Sequence, residues 1–120
     1  DLLVADREDA PWVHLFVNRV GQDNHWIELD LWGSASSRDA VGAKVTVTAG
    51  GVTQQRYVKA GEGHSNTQAS HVVHFGLGAN TTIDEVTVRW VGGATDTITD
   101  MAVDGRYVIE ESNAAARGVR

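Results

Sequence analysis

The sequence predicts an all-β domain: an antiparallel β-sandwich, jelly-roll-like or barrel-like, with a β-hairpin at its N-terminus. Three observations carry this expectation. Short runs alternate apolar with polar residues, the pattern of strands with one wet face. Glycine occurs 13 times and proline once, and the glycines fall between those runs. No stretch repeats apolar residues at the spacing of an amphipathic helix.

The elements follow in order. Residues 1–6 form a short apolar strand, residues 7–11 a polar turn and residues 12–17 a second strand, which together read as a hairpin. The polar stretch 18–24 ends it and marks a junction. In residues 26–31, Ile27, Leu29 and Leu31 face one side while Glu28 and Asp30 face the other. Residues 33–42 are a polar loop. Residues 43–48 alternate again, with Val45 and Val47 inward. Ala49-Gly50-Gly51-Val52 is a hairpin turn signal, and residues 53–59 return with Tyr57 and Gln55 on one face.

A glycine-rich loop, residues 61–66, precedes a strand over residues 72–76, which Leu77-Gly78 closes. A turn follows over residues 79–82. Val86, Val88 and Trp90 then alternate with Glu85, Thr87 and Arg89. Gly92-Gly93 turns the chain, residues 95–98 return, and residues 107–110 form the last strand. Residues 112–120 are small, polar and unpatterned and are expected to fray as a flexible tail.

Length and charge bound the function. At 120 residues the chain is one domain by length, large enough to bury a core without staples. A net charge of −6 disfavours binding to a nucleic-acid backbone and suits an ordinary wet surface. The absence of cysteine excludes disulfides, thiolate zinc sites and cysteine nucleophiles. No apolar run approaches the ~20 residues of a membrane span. Asp1 is not a natural start, so the chain is expected to be a fragment or a processed product.

Four segments in residues 24–111 resemble the ASPIC/UnbV domain. Asn24-His25-Trp26-Ile27-Glu28-Leu29 is similar to the family's opening Asn-x-Trp strand. The run from Ser37-Arg38-Asp39 through Gly42-Ala43-Lys44-Val45 resembles its Asn-Arg-Asp-x-x-Gly-Ala-x-Val block, with Ser37 in place of the usual Asn. His74-Phe75-Gly76-Leu77-Gly78 matches its His-Phe-Gly-Leu-Gly block. Asp84 to Trp90 resembles its Val-x-Val-x-Trp strand, with Val91-Gly92-Gly93 replacing the usual Pro-Ser-Gly. The family positions imply that Trp26 and Trp90 lie in the core.

Residues 1–20 are similar to the tail of an FG-GAP/VCBS repeat, a unit of β-propellers. Asp1-Leu2-Leu3-Val4 looks like the end of its acidic calcium loop, and Leu15-Phe16-Val17-Asn18 resembles its closing Leu-Tyr-x-Asn. The resemblance implies an extracellular or periplasmic protein. It makes Asp1 a calcium ligand only if an upstream acidic loop is present, since one carboxylate cannot supply the 6–8 oxygens calcium takes. No cofactor is expected in the 120 residues themselves.

Candidate sites are few. His64, His71 and His74 lie close in sequence, and a metal site would need them to converge. His71 and His74 are an odd number apart, which puts them on opposite faces of a regular strand. Glu28 and Asp30 read as a solvated face rather than a catalytic pair with split pKa values. Arg38 and Asp39 are expected to hold their loop, the Asp by bonding nearby backbone N–H groups. Gly61-Glu62-Gly63-His64-Ser65 precedes no helix and carries no lysine, so it is no phosphate cradle, and adjacent His64 and Ser65 make no triad. Among four tryptophans, Trp32 ends a strand beside a loop and is the best candidate for an exposed aromatic.

The chain is therefore expected to be a non-catalytic interaction module, docking on propeller repeats or on a partner subunit. Trp32, Arg38, Asp39 and His64 are its candidate binding residues. The alternative is a carbohydrate-binding module using Trp32; a metal-binding domain or an enzyme is a further alternative.

Overall fold

A computed structural model describes residues 1–5, 13–61, 70–113 and 115–119. Those residues form strands and turns, with no helix. The strands are β1 (Leu2–Ala5), β2 (Val13–Phe16), β3 (His25–Trp32), β4 (Lys44–Ala49), β5 (Val52–Tyr57), β6 (Val73–Gly78), β7 (Glu85–Arg89), β8 (Thr95–Ile98), β9 (Gly105–Glu110) and β10 (Ala116–Val119). They make a two-stranded sheet, β1-β2, and two four-stranded sheets ordered β10-β9-β3-β6 and β5-β4-β7-β8.

The two larger sheets share one core, as alternation predicts. Ile27, Leu29 and Leu31 of β3 and Phe75 of β6 come from one sheet. Val45 and Val47 of β4 and Val86 and Val88 of β7 come from the other, directly paired as Val45↔Val88 and Val47↔Val86. Trp90, just beyond β7, is 1% exposed, and its indole N–H donates to Asp96 Oδ2 at 2.8 Å. That acceptor matters because a buried indole donor left unpaired costs about 1–3 kcal/mol. Two glycine turns close hairpins at positive φ: Gly50 and Gly51 at 56° and 76°, and Gly93 at 94°.

Three expectations are corrected. First, the sandwich is not purely antiparallel: β9 lies parallel to β3, from Ile27↔Gly105 to Trp32↔Glu110. Alternation reports which face a residue occupies and says nothing of strand direction. A connection that passes through the whole second sheet leaves the direction free. Second, the C-terminal segment is not a frayed tail. Residues 116–119 pair antiparallel with β9, from Ala116↔Ile109 to Val119↔Arg106. Backbone pairing on the free edge of β9 holds a segment whose side chains carry no pattern. Third, Trp26 is not core. It is half-buried on the outer face with Glu28 and Asp30, stacked on His74 with ring centroids 6.0 Å apart. Even-numbered residues of β3 point outward, and that parity outweighs the family position.

Candidate functional site

The loop after β3 is built around one carboxylate. In the parallel register Trp32 sits opposite Glu110, so Glu111 emerges beside the loop that begins at Gly33. The Glu111 N–H donates to the Trp32 carbonyl at 2.9 Å. Its Oε2 accepts the backbone N–H groups of Ser34, Ala35 and Ser36 at 2.9, 2.8 and 2.6 Å. Its Oε1 accepts the Ser36 hydroxyl at 2.8 Å. Three successive N–H groups converging on one anion form a nest. Glu111 is 5% exposed, and its bond from the Ser36 N–H, followed by those from the Ser36 hydroxyl and from Ser34 and Ala35, lowers its pKa to about 2 against the opposing effect of burial.

The rest of the loop is tied by backbone. Gly33 N–H donates to the Arg38 carbonyl at 3.0 Å, and Ala40 N–H to the Ser37 carbonyl at 2.8 Å. A Cβ on Gly33 would lie 2.1 Å from the Ser37 carbonyl oxygen, so the chain approach requires glycine. Gly92 N–H donates to Ser36 Oγ at 3.3 Å, which joins the loop to the turn after β7.

Trp32 and Arg38 come together here. The Arg38 guanidinium lies 4.6 Å from the indole centroid, a cation–π contact. Trp32 is half-buried rather than exposed, and it borders a shallow groove of about 420 Å³ with Val108, Arg117, Gly118 and Val119.

Asp39 goes elsewhere. Its side chain is 63% exposed and lies 4.0 Å from His71 Nδ1. Among the described residues its carboxylate caps no backbone N–H; Glu111 holds the loop instead. His74 Nδ1 lies 3.6 Å from Glu28 Oε1 on the outer face, while His71 precedes β6, so strand alternation does not govern it. His64 lies outside the described residues. Among those described, no three His, Asp or Glu side chains gather as metal ligands. Asp1 spends one carboxylate oxygen on the Asn18 N–H at 2.8 Å, bridging the open end of the β1–β2 hairpin.

Sequence reasoning missed two carboxylates. Glu111 reads as the end of a strand. Asp104 falls between the strands read at residues 95–98 and 107–110, yet its Oδ2 lies 2.6 Å from His25 Nδ1 and its Oδ1 accepts the Trp26 N–H at 3.2 Å. The His25 bond, then the Trp26 N–H, lowers the Asp104 pKa despite partial desolvation. Its φ of 59° is left-handed, a conformation Asp tolerates better than most residues.

Residues 33–116 match the ASPIC and UnbV family model. The chain belongs to that family. The match begins at Gly33 and runs through Glu111, so the carboxylate nest and the Trp32-flanking loop lie within the ASPIC/UnbV segment. It starts after β3, although β3 is the central strand between β6 and β9. The folded ASPIC/UnbV sandwich therefore includes residues that precede the matched segment. No curated protein matches the chain. No helix of the described residues is long and apolar enough to cross a membrane.

Proposed function

We propose that this ASPIC/UnbV domain is a non-catalytic docking module of an exported protein, and that its β1–β2 hairpin adds to the sheet of a neighbouring propeller repeat. One observation carries the reading. The hairpin is a sheet of its own, and Leu2, Leu3, Val13, Leu15 and Phe16 are each 59–66% exposed. The pairing Leu2↔Phe16 and Leu3↔Leu15 puts apolar side chains on both faces.

A two-stranded hairpin is marginal in water by itself. Apolar residues on both faces suit a strand pair buried between layers, and its unpaired edges offer main-chain hydrogen bonds to an added strand. The resemblance of residues 1–20 to a propeller repeat supplies the partner's chemistry: a β-sheet edge on the same polypeptide. An extracellular or periplasmic setting, with calcium bound where further acidic ligands join Asp1, belongs to the same reading.

Hydrogen exchange tests it. Amides of residues 2–5 and 13–16 are measured in the 120-residue chain alone and in the same chain extended at its N-terminus by a propeller repeat. Protection rising at least ~100-fold in the longer protein, as for strands that share a sheet's cooperative stability, supports docking. Equal exchange in both would overturn it.

A further inference from the structure

A different face carries a second binding feature. Two clefts meet at Tyr57, which is 51% exposed. One, of about 460 Å³, opens where the edge strands β5 and β6 approach each other, lined by Gln55, Arg56, Lys59, Ser70, His71 and His74. The other, of about 330 Å³, lies beside Lys44 and Arg89 on the outer face of the second sheet. Both volumes fall within the ~300–1,000 Å³ of ordinary ligand sites. Among the described residues no Asp or Glu lines either cleft, in a chain of net charge −6, although Asp39 and Glu28 lie against His71 and His74 of the first.

The charge placement breaks a local rule. Lys44 is the register partner of Arg89 across β4 and β7, and of Tyr57 across β5. Val45 and Val88 are fully buried, so Lys44 and Arg89 both point outward. Like charges directly opposite in a sheet destabilise it. Among the described residues no carboxylate forms an ion pair with Lys44, Arg56 or Arg89, whereas Arg106 and Arg117 pair with Asp30 and Glu110. An uncompensated violation of this kind marks a site kept for binding rather than stability. Arg56 sits opposite inward-facing Val45, on the other face of β5 from Tyr57, and its guanidinium reaches the first cleft around the sheet edge, 5.4 Å from the Phe75 centroid.

We infer that these clefts bind an acidic oligosaccharide, with a sugar ring against Tyr57 and its carboxylate or sulfate groups on Lys44, Arg89 and Arg56. The half-exposed ring supplies a stacking face. The Gln55 amide donates to the Tyr57 hydroxyl at 3.2 Å and holds the side chain in place. Gln55 and Ser70 offer neutral hydrogen-bonding groups of the kind that read sugar hydroxyls. A long nucleic-acid backbone would meet the overall negative charge, while a short acidic saccharide meets the local positive field.

Titration calorimetry of the 120-residue chain at about 50 mM salt tests this, since charge-dependent binding weakens as salt rises. The probes are a heparin-derived hexasaccharide, hexagalacturonate, maltohexaose, polyglutamate and sodium sulfate. Binding of either acidic hexasaccharide, lowered at least ~10-fold by Lys44→Gln with Arg89→Gln and by Arg56→Gln, supports the site. Hexagalacturonate alone binding assigns the contact to carboxylates; the heparin fragment alone assigns it to sulfates. Arg106→Gln, the same charge change on the other sheet, leaves binding intact. Removing the Lys44–Arg89 opposition raises the Tm by about 1–3 °C, which also shows that the variants fold. Failure of both acidic saccharides to bind overturns the inference. So does binding that persists in the variants, maltohexaose binding equally well, polyglutamate binding more tightly, or sulfate alone matching the saccharides.

Discussion

Ser36 gives Glu111 two hydrogen bonds, one from its backbone N–H at 2.6 Å and one from its hydroxyl at 2.8 Å. With the Ser34 and Ala35 N–H groups, they bind three successive loop residues to the strand end that follows β9. The carboxylate is the fixed point of the loop that carries Arg38.

Glu111 links stability to acid. Its pKa falls from 4.5 in the unfolded chain to about 2 in the fold. A depressed carboxylate stabilises fully above its unfolded pKa, and the contribution is lost as pH falls from 4.5 through about 2. Thermal melts from pH 7 to pH 2 are expected to show a falling Tm below about pH 4.5, as the unfolded state takes up protons first. Glu111→Gln lowers the Tm at pH 7 and flattens that acid limb. An unchanged acid limb in the variant would place the proton uptake elsewhere.

Gly33→Ala is expected to destabilise by roughly 1–3 kcal/mol, the usual cost of overpacking. The added methyl meets a backbone oxygen, which cannot swing aside as a side chain can. Denaturant unfolding of the variant measures the loss. Gly76→Ala, where the added Cβ meets nothing within 4 Å, is the contrasting case and is expected to fall within about 0.5 kcal/mol.

Asp96→Ala removes the acceptor of the buried Trp90 indole and of the Ser112 N–H, which donates to the same oxygen at 2.9 Å. The expected loss is about 1–3 kcal/mol, read by denaturant unfolding. Trp90 fluorescence is expected to change in the native baseline, because its indole N–H loses its partner.

Two leucines should separate the core from the hairpin. Leu29 is fully buried in the sandwich, whereas Leu15 is 60% exposed on β2. Leu29→Ala is expected to cost about 2–5 kcal/mol. Leu15→Asp is expected to leave the sandwich within about 0.5 kcal/mol of the parent while lowering dye binding to exposed apolar surface. A large loss of stability in Leu15→Asp would show that the hairpin packs on the core.

The alternating runs were legible because side-chain parity is a local property. Ile27, Leu29 and Leu31, or Val45 and Val47, declare their face within six residues, and they occupy it. Trp26 reads as core from its match to a family position, and the outward parity it shares with Glu28 and Asp30 decides otherwise. Arg38 was legible as a loop residue but not as the partner of Trp32, because the contact depends on a turn that returns the chain over the strand it left.

The all-β class, the inward and outward faces of the strands, the turn glycines and the family all follow from the amino-acid sequence read locally. The parallel pairing of β3 with β9, the edge strand at residues 116–119 and the nest around Glu111 were decided only by tertiary structure. The first and the last join residues far apart in the chain, and all three draw on backbone N–H groups as donors. Backbone N–H and C=O groups are chemically alike at every non-proline position, so residue identity gives little information about which distant partner they find.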